Sequence, residues 1–282
     1  MIAEWVFPPL LVAGFFCYNL FMTNKYGILA YPAKHSLSPM IHNAAFKEMN
    51  IDAEYGVFEI DSMGLQDFMD YVKTEPISGL SVSLPHKVNI MQYMHVIDYG
   101  AKKIGAVNTV LNNRGTLYGY NTDFVGSNLA LGEIKSKRFA VLGTGGAARA
   151  IVYGILKEGG EVKIYSRSVD KAKKLSDEFG ASFGDFSDID GGDVLIQATS
   201  IWITNPESTE IVSAEIVKKF DTVMDIVYSP LMTPLLKMAQ DLGKNIITGE
   251  KMFLYQAVKQ FEIWTDQKAP VDLMQRLLDR NL

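Results

Sequence analysis

The sequence has little of what marks several classes of protein. It holds one cysteine, Cys17, in 282 residues, so no internal disulfide forms and a reducing compartment is expected. His35, His42, His86 and His95 are its four histidines, and they have no metal-ligand spacing, so no metal site is expected. Basic residues form no run, and a formal charge of -5 argues against a nucleic-acid partner. Long apolar runs are scarce as well. Only residues 2–22, with Glu4 as their one charge, approach the roughly 20 residues that cross a bilayer. Pro8, Pro9, Gly14 and Asn19 make that stretch a poor helix, and it has neither a basic n-region nor a small-x-small cleavage site. It reads as a membrane anchor, an apolar segment docked on the body, or a start codon placed too early. The last is favoured, because Met22-Thr-Asn-Lys-Tyr-Gly is an ordinary cytosolic start. The chain as a whole is 48% hydrophobic, enough to bury a sizeable core in one large or two medium domains. A cytoplasmic protein with no membrane partner is the expectation.

The chain is organised around residues 139–158. Residues 139–142 form an apolar run of the length of a buried parallel strand. Gly143, Thr144, Gly145, Gly146 and Ala147 follow as a turn. Ala148, Ile151, Val152, Ile155 and Leu156 then line one face of an amphipathic helix. A strand, a glycine turn and a helix start aim free N–H groups at one point, where a pyrophosphate can sit. The spacing is Gly-x-Gly-Gly, with Ala148 in place of the third glycine, where only close helix–strand packing is required. A plain strand-to-helix turn is the alternative reading.

Before this stretch, strands are expected over residues 26–30, 55–58, 79–82, 107–111 and 117–120, with a turn at 112–115. Helices are expected over 61–72 and 88–94, and another opens at Ser38 as N-cap with Pro39 at its first position. That alternation makes an α/β domain of its own. After the stretch, strands at 162–165, 194–196 and 223–226 continue a doubly wound sheet, with a helix carrying Ala172, Leu175 and Phe179 between the first two. An acidic residue at the end of the second strand would bind the ribose of NAD. Ser166, Arg167 and Ser168 stand there instead, with Lys171 one turn on. A guanidinium beside two hydroxyls and an ammonium suits a 2′-phosphate, so NADP is expected; a solvated basic turn is the blander reading.

Three further stretches are too polar for simple turns. They are His35-Ser-Leu-Ser-Pro-Met-Ile-His-Asn43, Ser81-Val-Ser-Leu-Pro-His-Lys87, and Ala106-Val-Asn-Thr109 with Gly119-Tyr-Asn-Thr-Asp123. N-capping alone accounts for Ser38 and leaves Ser36 open. Together with Gly-Thr-Gly-Gly-Ala, Ala198-Thr-Ser, Asp225-Ile-Val-Tyr228-Ser-Pro, Thr233-Pro-Leu-Leu and Gly249-Glu-Lys-Met252 with Gln256-Ala, they make the chain from about Tyr26 to its end resemble the shikimate dehydrogenase family. Each motif alone is weak; their order over some 255 residues, about 26 to 282, is specific.

The resemblance implies an α/β fold with an N-terminal α/β substrate domain and a Rossmann-like, doubly wound cofactor domain across a cleft. The expected division is an extension at 1–22, a substrate domain at 23–122, an NADP domain at 123–243, and helices at 244–282 returning to the substrate domain. It implies reversible NADPH-dependent reduction of 3-dehydroshikimate to shikimate, in the pathway to chorismate and the aromatic amino acids. Lys87 looks like the proton-transfer residue and Asp123 its partner. Ser36, Ser38, Ser83, Asn108, Asp123, Tyr228 and Gln256 look like substrate contacts. The glycine turn from Gly143 to Ala147, Ser166, Arg167, Ser168, Lys171, Ile226 and Gly249 look like cofactor contacts. The residue types suit the chemistry: a ketone accepting hydride needs a positive proton donor at its oxygen, and ring hydroxyls need neutral partners.

Some positions depart from the pattern. Ser81 and Ser83 replace a frequent Asn and Thr, His86 an aromatic, Ser166 and Gln197 an Asn each, and Lys171 a frequent Arg. The last exchange gives up bidentate phosphate recognition. A quinate enzyme using NAD and a catalytically silent metabolite sensor are the rival readings; retention of Lys87 with Asp123 argues against the sensor. A homodimer is left open.

Overall fold

A computed structural model describes residues 23–33, 36–199 and 211–282. The apolar start at 1–22, His35, and Ser200 of the Ala-Thr-Ser motif lie outside the described residues.

The first sheet is built from β1 (Asn24–Ala30), β2 (Ala53–Glu59), β3 (Ile77–Val82), β4 (Val96–Ile97), β5 (Thr109–Asn113) and β6 (Thr116–Tyr120). Its order is β2-β1-β3-β5-β6-β4. β1 runs parallel to β2 and β3, while β5 is antiparallel to β3 and β6. Helices α1 (Ser38–Glu48), α2 (Leu65–Thr74) and α3 (Tyr99–Ile104) connect these strands. Both faces are covered, which is why the strands read as apolar runs and not as alternating ones. On β1, Ile28 packs with Phe46 and Phe261 on one face, and its neighbour Leu29 with Phe68 and Leu80 on the other. Arg114 (φ 51) and Gly115 (φ 88) close the β5–β6 hairpin with the backbone twist that two-residue loops favour.

The second sheet contains β7 (Arg138–Leu142), β8 (Glu161–Tyr165), β9 (Ser182–Gly184), β10 (Val194–Gln197), β11 (Thr222–Asp225) and β12 (Asn245–Ile247). All are parallel, in the order β12-β11-β10-β7-β8-β9. The winding reverses between β7 and β10, so loops splay apart above the carboxyl end of β7 and leave a crevice. α4 (Asp123–Leu131) leads in, and α5 (Gly146–Lys157), α6 (Val169–Phe179), α7 (Ala214–Val217) and α8 (Pro234–Asp241) flank the strands. The expected stripe Ala148, Ile151, Val152 and Ile155 is buried against Val141, Ile164 and Ile196. α9 (Gly249–Thr265) and α10 (Val271–Asn281) return to the first sheet, where Leu254, Phe261, Trp264, Met274 and Leu278 join its core.

Four local expectations need correction. Ser38 is the first helical residue of α1 and not its cap; Leu37 stands at the cap position with no side-chain bond to the helix start, and Ser38 N–H donates to Ser36 Oγ at 3.3 Å. The helix expected from residue 61 starts at Leu65. Asp61 Oδ1 accepts the N–H groups of Met63 and Gly64, both at 2.9 Å, and holds a turn instead. Residues 88–94 give only a 3-10 turn over Asn89–Tyr93. The chain is drawn off at His95, whose N–H donates to Leu117 O at 2.9 Å and whose Nδ1 accepts from Leu117 N–H at 3.0 Å. The strand expected from residue 107 starts at Thr109, because Val107 turns its N–H to Lys87 O at 2.7 Å.

No helix among the described residues is long and apolar enough to cross a membrane. No cluster of His, Cys, Asp and Glu among them is placed to hold a metal ion.

Candidate active site

Beyond β3 the chain turns sharply. Ser83 N–H donates to Leu29 O, and His86 N–H to Ser83 O, both at 2.9 Å. His86 is fully buried with Nε2 2.7 Å from Ile60 O, so the imidazole plugs the turn from beneath. Lys87 follows, its main chain held by Val107 and its stem laid along the glycine turn of the second sheet. A Cβ added at Gly146 would meet Lys87 Cβ at 3.0 Å and Cδ at 3.2 Å. The ammonium reaches Asp123 Oδ2 at 2.7 Å, with side-chain exposures of 18% and 5%. A contact this short and dry is a strong charge-assisted hydrogen bond.

Asp123 opens α4, and its N–H donates to Asn121 Oδ1 at 3.0 Å. Its second oxygen, Oδ1, accepts from Asn108 Nδ2 at 2.8 Å. Asn108 also donates to Thr122 Oγ1 at 2.9 Å and accepts Thr122 N–H at 2.7 Å. Asn108 and Asp123 are both buried, so each polar atom without a partner would cost about 1–3 kcal/mol. The network avoids that cost by satisfying both.

A second group gathers opposite. Burial pushes the pKa of the Tyr228 hydroxyl up, against a smaller opposing pull from the neighbouring Ser36 side chain and Leu37 main chain. The loop after β11 thus lies beside the loop before α1. The Tyr228 ring lies 4.4 Å from Phe253 of α9, nearly parallel to it. Buried Asp225 pins the start of that loop, with Oδ1 accepting Val227 N–H at 3.0 Å and Oδ2 accepting the Thr233 hydroxyl at 2.8 Å. Ser38 is buried at the head of α1. Gln256 donates to Phe253 O at 2.8 Å on α9, just where that helix meets α4. The meeting needs Gly126, since a Cβ there would stand 2.6 Å from Met252 O. Gly249 abuts the next bend, where a Cβ would stand 2.5 Å from Ile226 O.

The crevice above β7 has the form of an anion cradle. Gly143 adopts φ +124, and a Cβ on it would lie 2.8 Å from Ala198 O, so only glycine lets the two switch-point loops touch. Above Gly145 nothing lies within 4 Å of such a Cβ. α5 has no side-chain cap, so its first N–H groups point into that space. At the end of β8, Ser168 N–H donates to Ser166 Oγ at 3.2 Å. Arg167 and Lys171 are exposed and make no ion pair among the described residues. Free cations beside a hydroxyl turn and an open helix N-terminus fit a dinucleotide with a 2′-phosphate.

The geometry therefore joins Lys87, Asp123 and Asn108 by direct bonds and sets Tyr228 beside Ser36. Gly146 is set against Lys87, and Gly249 against Ile226. Ser166, Arg167, Ser168 and Lys171 stand apart, at the outer end of the crevice. Sequence reasoning missed Thr109, Thr122, Gln260 and Arg149. Arg149 Nε donates to Ile104 O at 2.5 Å, and its Nη2 pairs with Glu178 of α6. It thus ties α3 to both α5 and α6. Gln260 was readable as a polar residue four places beyond Gln256 on an apolar helix face.

Comparison with known proteins places the chain. Residues 28–110 match the shikimate dehydrogenase substrate binding domain and residues 249–278 the shikimate 5'-dehydrogenase C-terminal domain. Residues 138–224 match a family described as NADP oxidoreductase, coenzyme F420-dependent. A shikimate dehydrogenase (NADP(+)) of Methanocaldococcus jannaschii is 37% identical over 272 residues, 91% of this chain and 96% of its own. A crystal structure of a shikimate dehydrogenase in complex with NADP+ superposes with a TM-score of 0.86 at 36% identity, covering 92% of this chain and 96% of the other. One from Thermus thermophilus, in complex with NADP(H) and shikimate, gives 0.84 at 29% identity, covering 92% and 100%.

Proposed function

Because the chain belongs to the shikimate dehydrogenase family, we propose that it catalyses the reversible NADPH-dependent reduction of 3-dehydroshikimate to shikimate. The observation that carries the proposal is the Lys87–Asp123 contact of 2.7 Å, made while the Lys87 stem rests on Gly146 of the glycine turn. A proton donor and a dinucleotide cradle in one crevice are what a ketone reductase needs.

NADPH, when bound, supplies the hydride. Gly143, Thr144, Gly145, Gly146 and Ala147 would hold its pyrophosphate, and Ser166, Arg167, Ser168 and Lys171 its 2′-phosphate. Ile226 and Gly249 would border its far end. Lys87 gives its proton to the carbonyl oxygen as negative charge develops there, and in the reverse direction takes it back. Asp123 aims the ammonium and offsets its charge, so the proton leaves from a fixed point. Asn108 fixes the carboxylate in turn. Ser36, Ser38, Ser83, Tyr228 and Gln256 offer neutral donors and acceptors to the ring hydroxyls and carboxylate of the substrate. In this reading residues 23–122 with 244–282 form the substrate lobe and 123–243 the cofactor lobe. Cytoplasmic residence belongs to the proposal, supported by the single cysteine. Sedimentation of the purified chain decides between a monomer and a homodimer.

The test is nicotinamide absorbance with shikimate and NADP against quinate and NAD. Turnover is expected with the first pair; turnover confined to the second refutes the assignment. Lys87→Ala should lose roughly 10²-fold or more in kcat while shikimate still binds; near-normal turnover would remove Lys87 from its role.

A further inference from the structure

The carboxylate that aims Lys87 is itself placed by a chain of buried hydrogen bonds reaching back to α9. Gln260, buried on that helix, spends both amide protons on adjacent residues: Nε2 donates to Asn108 O and to Thr109 Oγ1, each at 3.1 Å. Its Oε1 accepts from Ser81 Oγ at 2.8 Å, and Ser81 Oγ accepts from the Tyr55 hydroxyl at 2.6 Å. With its lone pair taken by Gln260, the Thr109 hydroxyl donates to Asn108 Oδ1 at 2.8 Å. Asn108 then donates to Asp123 Oδ1, leaving Oδ2 for Lys87.

The donors run one way, from Tyr55 to Asp123. Reversing the Gln260 amide would set its oxygen against Asn108 O, two acceptors face to face in a dry interior, which is costly. Thr122 N–H, at 2.7 Å from Asn108 Oδ1, already decides which end of the Asn108 amide meets Asp123. The Asn108 main chain is strung between two strands, its O accepting from Val82 N–H at 2.7 Å and its N–H donating to Tyr120 O at 3.0 Å; from the α9 side Gln260 adds a second bond to that carbonyl and the bond that orients the Thr109 hydroxyl. Gln256 lies one turn earlier on the same helix face, so substrate contact and proton pair are referred to one rigid element.

We propose that Gln260 is a positioning residue for the proton-transfer pair, acting through Thr109 and Asn108 to hold Asp123 and Lys87 in register with a substrate seated on α9. The inference rests on Lys87 and Asp123 being that pair.

The test is steady-state kinetics of Gln260→Leu, Thr109→Val and Thr109→Ser across pH, with thermal unfolding of each. The titratable groups facing the network are His42 from α1, Tyr55 from β2, Tyr228 from the loop after β11, Asp123 from α4 and Lys87. For Gln260→Leu and Thr109→Val, kcat should fall about tenfold with the KM for shikimate within about threefold, since a small misplacement of a proton donor slows turnover without unseating the substrate. The pH at which kcat declines should move in both variants, and Thr109→Ser should restore kcat and profile. A merely structural role would lower the melting point and leave kcat and its pH profile in place; that result in a folded Gln260→Leu overturns the proposal. If Gln260→Leu does not fold, Thr109→Val against Thr109→Ser decides alone. Lys87→Ala and Asp123→Asn separate the two levels. Should those retain turnover, the pair itself is misassigned; should they collapse while Gln260→Leu and Thr109→Val match wild type, only the positioning role fails.

Discussion

Asp123→Asn is the sharpest test of the site, because the change is isosteric and the structure fixes what it removes. Asp123 accepts from Lys87 Nζ at 2.7 Å on one oxygen and from Asn108 Nδ2 at 2.8 Å on the other. An asparagine can serve one of them. If its oxygen faces Asn108, its NH2 confronts the ammonium; if it flips, NH2 meets NH2 at Asn108. Either way one charge-assisted bond is lost, worth about 1.5–3 kcal/mol, and a donor is left unsatisfied, costing about 1–3 kcal/mol more. The side-chain exposures, 5% for Asp123 and 18% for Lys87, leave little room for water to compensate. Roughly 3–5 kcal/mol carried into the transition state is about 10²–10⁴-fold in rate. The assay is kcat and kcat/KM by nicotinamide absorbance at saturating NADP, with a melting curve to show that the variant is folded. A folded Asp123→Asn enzyme within about tenfold of wild type in kcat/KM would mean that Lys87 needs no carboxylate to aim it, and the mechanism would have to be redrawn.

Two other expectations follow from the geometry. Arg167→Gln should raise the KM for NADP roughly ten- to hundredfold while that for NAD changes less than about threefold, because the exposed guanidinium has no ion-pair partner to lose among the described residues and a 2′-phosphate to meet; equal effects on both cofactors would count against the 2′-phosphate site. Burial depresses the pKa of His42 to about 3 from 6.5, against a smaller opposing pull from Gln260, and neither ring nitrogen has a hydrogen-bond partner among the described residues. The unfolded chain therefore binds this proton first as pH drops, so its stabilising contribution is complete above pH 6.5 and declines at about 1.4 kcal/mol per unit between 6.5 and 3. Urea midpoints should fall more steeply below pH 6.5 for wild type than for His42→Leu, and parallel slopes would contradict a neutral, buried imidazole.

The sequence made the second sheet legible around Gly143, because a strand, a turn and a helix leave three independent periodic signals side by side. That Lys87 and Asp123 lie together was legible through motif order, and the stripe from Ala148 to Ile155 through its spacing. The short strands β4, β9 and β12 were not, since two or three residues carry no period, and their pairing comes from neighbours far along the chain. Ser38 lost the expected capping role to Leu37 because a helix start depends on one residue of register, which no spacing fixes. Gln260 was hidden for another reason. Its partners, Ser81, Asn108 and Thr109, lie more than 150 residues away, and only the returned helix α9 brings them within reach.

The Arg149 side chain limits how two such enzymes can be recombined. Its guanidinium sits on the carbonyl end of α3, in the space left by Gly105 at φ +70, where a Cβ would stand 2.6 Å from Nη2. A chimera that takes its first half from one parent and its second from another keeps this seat only if the donor half offers both a bare backbone at 105 and a free carbonyl at 104. Parents matched for those two positions should yield active hybrids, while a bulkier residue at the crossover would prise the halves apart with every residue that touches substrate still in place.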